Sequence, residues 1–302
     1  MSTGSRKVIY AALVGNALIA FTKFIASVFT GSSAMLSEGI HSLVDTGNQV
    51  LLLYGMKQAE KPADEAFPFG HGKEIYFWSF VVAILIFALG GGISLYQGVQ
   101  HILHPVVIKD PMINYIVLGL AMAFEGAAWY MALREFKKTK GKRSYLEAVT
   151  RAKDPSVFVV LFEDSAAMLG LMVAFLGILL TQLTGILYLD GAASVVIGLI
   201  LIGTAIWLAY ETKGLLIGEA ANKPIVQGVR TILQNNENIN VVNEVLTMHM
   251  GPNFILANIS VNFKDELTAA QIEDCISEID QQIKNTHPLV QRIFIEAERT
   301  KA

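Results

Sequence analysis

Residues 35–56 read MLSEGIHSLVDTGNQVLLLYGM. A helix needs roughly 20 residues, rising about 1.5 Å each, to cross a hydrocarbon core about 30 Å thick. This stretch has that length, yet it carries Glu38, His41, Asp45 and Asn48. Their spacings of 3, 4 and 3 put all four on one helical stripe. An ionisable side chain at mid-bilayer costs a few kcal/mol, so its presence is a functional signal. His41 and Asp45 lie one turn apart. Their imidazole nitrogen and carboxylate both reach a divalent ion bound at ~2.0–2.2 Å.

Around this stretch the composition is that of a membrane protein. The 302 residues are 53% hydrophobic and only 16% charged, whereas soluble chains carry about a quarter charged residues. That excludes intrinsic disorder and an ordinary cytosolic enzyme. A net charge of −3 offers no bulk attraction for nucleic acid, and a single cysteine, Cys275, excludes an internal disulfide framework. Six segments are apolar enough to span: 8–29, 35–56, 77–101, 113–133, 157–180 and 192–210. The short basic start, Met1 to Lys7, leads into the first, which reads as a retained helix rather than a signal peptide. Basic residues crowd the linker after the fourth span (Arg134, Lys137, Lys138, Lys140, Lys142, Arg143, Arg151, Lys153) and the one after the second (Lys57, Lys61, Lys73). The opposite loops are uncharged, or balanced as at Lys109 and Asp110. The basic loops therefore face the cytoplasm, and six spans return both termini there.

The fifth segment contains Glu163 and Asp164. As neighbours they point about 100° apart and cannot both face one seam squarely. Asp154 as N-cap and Pro155 in the first turn set the start of this helix. Asp164 then lies about 14 Å in, as does His41 counted from Ser32 on the opposite side. The polar groups of the two helices meet at one level near mid-membrane. One imidazole with carboxylates suits a divalent transition metal, zinc best; purely structural pairing is the plainer alternative. Elsewhere, Lys23 is expected to snorkel. Glu125 pairs locally or faces a vestibule. Gly90 to Gly92 allow close helix packing. His101 and His104 are interfacial, and Asp190 caps the sixth helix.

From Gly214 the charge density becomes ordinary. Residues 225–233 and 269–283 have helical periodicity, while 241–248, 254–263 and 290–297 alternate as strands. The expected architecture is an all-α six-helix transmembrane domain, 1–213, followed by a cytoplasmic α+β domain, 214–302, of α-β-β-α-β order and ferredoxin- or metallochaperone-like build.

These pieces together resemble the cation diffusion facilitator family, over nearly the whole chain. Thr30 to Ala34 followed by Glu38 to Asp45 is similar to its second-helix signature, and Phe67 to Glu74 to its loop into the third helix. Residues 158–167 look most like the zinc transporter nine branch. The resemblance implies a homodimer, not an enzyme, exporting divalent metal in exchange for protons by alternating access, seated in a membrane such as the bacterial inner membrane. It matches His41, Asp45 and Asp164 to the transport site. Val160 stands where a second ligand from the fifth helix belongs, so Glu163, Glu38 or water must complete the shell. In the loop site His71 matches and Asp64 is a candidate partner, with Phe67 where a further His belongs. In the tail, Asn262 and Glu296 replace common ligand positions, and His249 and His287 read as packing or surface residues. Metal and proton compete for the same deprotonated atoms, which is the basis of exchange. Iron, cobalt or manganese are alternatives to zinc. A metal-binding regulator that does not transport is a rival reading, favoured by Val160. A di-iron oxidoreductase is a weaker one, because Glu38-x-x-His41 occurs once where that chemistry uses the motif twice.

Overall fold

The computed structural model describes residues 3–107, 110–140, 148 and 152–299. Lys109, Lys142, Arg143 and Arg151, which the loop-charge pattern uses, lie outside the described residues, as do the side chains of Arg6, Lys7 and Lys138. Two compact units result, residues 1–58 with 75–213 and residues 59–74 with 214–302. The loop 59–74, expected within the first domain, thus groups with the second. Its backbone lies directly on the β1–β2 turn of that unit: a Cβ at Gly72 would sit 2.5 Å from the Met250 carbonyl.

The first unit is helical: α1 (Thr3–Thr30), α2 (Ser33–Ala59), α3 (Glu74–Leu103), α4 (Pro111–Lys140), α5 (Pro155–Thr184) and α6 (Tyr188–Ile217). Five of these, all but α2, contain a stretch long and apolar enough to cross a membrane. α2 is excluded by its polarity, and its burial is inside out. Ser37, Glu38, His41, Ser42, Asp45, Asn48 and Gln49 are buried, whereas Leu43 and Val50 are more than half exposed. A helix facing water shows the reverse pattern.

Local chemistry fixes the ends of α5. Asp154 accepts from the Ser156 N–H as N-cap, Pro155 follows, and Gly185 closes the helix in the left-handed region at φ 71°. α3 contains a π-helical turn at Ile86–Gly92, which the hydropathy pattern does not foretell. Its glycines make a close seam with α6. A Cβ at Gly98 would sit 2.6 Å from Val195 N and 2.8 Å from the Gly191 carbonyl oxygen. One at Gly91 would crowd Ile202 and the Gly198 carbonyl. Gly91, rather than Gly90 or Gly92, is the member of the triplet that permits the approach.

The second unit orders its elements α7 (Lys223–Gln234), β1 (Ile239–Gly251), β2 (Phe254–Phe263), α8 (Ala269–Thr286) and β3 (Val290–Ala297). β2 is central, antiparallel to β1 and parallel to β3. Ile255, Ala257, Ile259 and Val261 alternate onto one face of β2 and pack with Val229 and Leu233 of α7 and Cys275, Ile279 and Ile283 of α8. Thr268 and Gln271 close a capping box at the start of α8.

Candidate metal centre

His41 and Asp45 are fully buried on the inner face of α2. His41 Nδ1 lies 3.2 Å from Asp45 Oδ1, yet neither imidazole nitrogen and neither Asp45 oxygen has a hydrogen-bond partner. Two ligands of one tetrahedral ion at ~2.05 Å stand about 3.3 Å apart. The pair is therefore spaced as ligands are, but not aligned as donor and acceptor. Asn48, a turn further on, donates from Nδ2 to Glu163 Oε1 of α5 at 2.5 Å. The Asp45 oxygens and Glu163 Oε2 are unpartnered.

Of the two acids on α5, Glu163 is the one that touches α2. Asp164 is 2% exposed and its Oδ2 is also without a partner, and the ion pair of His41 is with Asp45. Val160, one turn earlier, is buried and offers no donor atom. Among the described residues, no three His, Cys, Asp or Glu side chains stand close enough together to hold one ion. Gln49, which sequence reasoning passed over, is buried beside this stripe with both side-chain polar atoms unpartnered.

A second polar cluster lies on the same side of α2, and it corrects the expectation for Lys23. That side chain does not snorkel; it is fully buried. Its Nζ donates to Glu38 Oε2 at 3.1 Å, Ser42 Oγ at 2.8 Å and Glu125 Oε1 at 3.3 Å. Lys23 lies seven residues before the end of α1 at Thr30, about 10 Å of helix rise, and two carboxylates meet it at that depth. Glu125 thus pairs with Lys23 and faces no vestibule, and Glu38 is turned toward Lys23.

Asp190 is the other correction. α6 begins at Tyr188, and the Asp190 carboxylate serves α2 instead. It accepts from Ser32 Oγ, the Ser33 N–H and Ser33 Oγ, each at 2.7 Å. It is an N-cap supplied in trans. His101 Nδ1 stands 3.9 Å away, and His104 ends α3 as an exposed residue.

In the loop, His71 Nε2 lies 2.9 Å from Asp64 Oδ2, while Asp64 Oδ1 accepts from the N–H groups of Ala66 and Phe67. The hydrogen bond to His71, aided by the Phe67 N–H, holds the Asp64 carboxyl below the usual carboxylate range. The Phe67 ring stacks at a tilt on His71, 4.5 Å between centroids. In the sheet unit His249 is buried with Nδ1 3.3 Å from the Gly251 carbonyl, His287 packs against Gly228, and Glu296 is exposed.

Residues 9–217 match the family model described as the cation efflux transmembrane domain. The mitochondrial proton-coupled zinc antiporter SLC30A9 of Xenopus laevis is 33% identical over 294 residues, 95% of this chain and 52% of that protein. Its Homo sapiens counterpart is 32% identical over 262 residues, 86% of this chain and 46% of that protein. The manganese efflux system protein MneP of Bacillus subtilis is 22% identical over 301 residues, covering 96% of this chain and 95% of that protein. The chain spans about half the length of the vertebrate relatives. With a family-model match over most of its length, a multi-pass helical unit and a small sheet unit that follows in the sequence, the chain belongs to the cation efflux family, a family of membrane transporters and not of enzymes.

Proposed function

We propose that the protein carries divalent metal cations, zinc foremost, across its membrane in exchange for protons. The cargo site is His41 and Asp45 of α2, completed from α5 by Asp164 and Glu163. The observation that carries this reading is the buried pair His41 and Asp45, ligand-spaced at 3.2 Å with all four polar atoms unpartnered. Leaving such groups unsatisfied in an apolar interior is costly, and a dication closing between α2 and α5 would satisfy them together. Protonation of the Asp45 and Glu163 carboxyls gives the other half of the exchange. A proton held there has to leave before both acids turn to the metal. Val160 keeps the cage short of the fourth ligand that the family resemblance implies, so Glu163 takes that place.

The same reading makes α2 a sixth span. Its 27 residues reach about 40 Å, its polar stripe faces inward, and Leu43, Val50 and Tyr54 face outward. The basic loops put residues 214–302 in the compartment from which metal is loaded, as a ferredoxin-like domain pairing two chains into a homodimer. The vertebrate relatives are mitochondrial by name and MneP comes from a bacterium, so the side assignment rests on loop charge, not on the membrane. Manganese is the second reading for the cargo. Oxygen ligands outnumber nitrogen in this set, and MneP carries manganese in its name.

The test is metal uptake by proteoliposomes with and without an imposed pH gradient, comparing Zn²⁺ with Mn²⁺. Gradient-driven uptake of Zn²⁺, reduced to the level of empty vesicles in Asp45→Ala and Asp164→Ala, is expected. Uptake unchanged in both variants refutes the site. Metal binding without any uptake supports the regulatory reading instead.

A further inference from the structure

The Lys23 cluster has the chemistry of a cation site that is already filled. A lysine ammonium has three N–H donors and no acceptor. Each of the three is spent here on a different oxygen: Glu38 Oε2 and Ser42 Oγ of α2, and Glu125 Oε1 of α4. Lys23, Glu38, Ser42 and Glu125 are at most 1% exposed, so no bulk water replaces that charge. The carboxylates outnumber the cation, and Glu38 Oε1 has no partner. It points at α5, where a Cβ on Gly170 would collide with it. Three helices, α1, α2 and α4, thus converge on one ammonium nitrogen, and α5 backs Glu38 through Gly170.

Glu38 is also three residues from His41, on the same stripe of α2. Without Lys23 it would be a carboxylate free to turn toward the cargo or to hold a cation of its own with Glu125. We propose that Lys23 is a tethered counter-ion occupying a second cation site, made by Glu38, Ser42 and Glu125, and that it thereby keeps Glu38 out of the cargo's shell and limits the membrane unit to one dication per chain. Lys23 is a positioning residue in this sense: it touches no cargo, and acts through Glu38. The inference rests on the proposed cargo site for the word "second", but the Lys23 site can be examined without it. All its ligands would be oxygen, which favours Mn²⁺ as the probe.

The experiment counts Mn²⁺ bound to purified full-length protein by electron paramagnetic resonance, and reads Zn²⁺ affinity by calorimetry. Lys23→Gln is expected to bind one more Mn²⁺ per chain than the unaltered protein. Adding Glu38→Gln and Glu125→Gln to it should abolish the gain, and Lys23→Arg should show none. The double variant Lys23→Gln with Asp45→Ala separates the two proposals. It should keep the extra ion even where Asp45→Ala alone has lost the cargo. Glu38→Gln alone, which leaves one carboxylate for one ammonium, should hold Zn²⁺ within twofold of the unaltered affinity. If Lys23→Gln folds only with metal present, the cluster still behaves as a cation site. If it folds and binds no extra ion, or if Glu38→Gln weakens Zn²⁺ tenfold, the proposal is overturned. The first outcome denies the second site, and the last makes Glu38 a cargo ligand.

Discussion

Gly98→Ala and Gly203→Ala are chemically the same change on two helices of one unit, and they should have opposite signs. At Gly203 a Cβ meets nothing within 4 Å. Alanine there only restrains the unfolded chain and favours the helix, a gain of about 0.5–1 kcal/mol. At Gly98 the same methyl would stand 2.6 Å from Val195 N, 2.7 Å from Val195 Cγ2 and 2.8 Å from the Gly191 carbonyl oxygen. Two of those three are backbone atoms of α6 and cannot swing aside, so the helices must separate. Overpacking of this kind costs about 1–3 kcal/mol, which set against the propensity gain leaves a net loss of up to about 2.5 kcal/mol. For a unit of about 200 residues each kcal/mol moves the midpoint by about 2–4 °C. Thermal unfolding in detergent, followed by the fluorescence of Trp78, Trp129 and Trp207, should therefore place Gly98→Ala several degrees below the unaltered protein and Gly203→Ala slightly above it. A Gly98→Ala midpoint equal to or higher than that of Gly203→Ala would mean that α3 and α6 do not touch there, and the seam would have to be abandoned.

Asp190→Ala strips three hydrogen bonds from the start of α2 at once. It should cost about 1–3 kcal/mol, the penalty for leaving a buried donor unsatisfied, and Asp190→Asn, which keeps an acceptor, should cost less. Denaturation midpoints ranked Ala below Asn below the unaltered protein support the trans cap, and indistinguishable midpoints remove it. The loop titrates on the acid side. Because the Asp64 carboxyl is held below its ordinary range, its contribution to folding is complete above the unfolded value of ~3.9 and fades as pH falls through the lower folded value. A carboxyl NMR titration should show Asp64 returning toward ~3.9 in His71→Ala; an unmoved titration would mean that His71 is not the cause.

Hydropathy and alternation located the strands well because each carries its own pattern. Residues 254–263 and 290–297 are strands in the structure over those same limits, while β1 runs from Ile239 to Gly251, beyond the expected 241–248. That surplus lies at irregularities in the β1–β2 register, at Ile239/Val241 and His249/Gly251, which alternation cannot encode. The polar stripe of α2 was legible because charges stand out against apolar neighbours. What those charges touch was not. Lys23 lies 15 residues from Glu38 and 102 from Glu125, and a rule that sends membrane lysines to the nearest interface knows nothing of either. Asp190 looks like a local cap in sequence, yet its partners are 157 and 158 residues away. Nor could the adjacent pair Glu163 and Asp164 be ranked from spacing, since only the rotation of α5 against α2 brings Glu163 to Asn48.

The carboxylate that fastens Ser32 and Ser33 also fixes one end of α2. With one end held to α6 and the other 26 residues away at Ala59, the helix would act in a transport cycle as a lever about 39 Å long. A 10° swing would carry its free end by about 7 Å but His41, about 12 Å from the anchor, by only about 2 Å. In the proposed exchange, small strokes near the anchor would make or break bonds to an ion at His41, while wider ones at the far end would admit water.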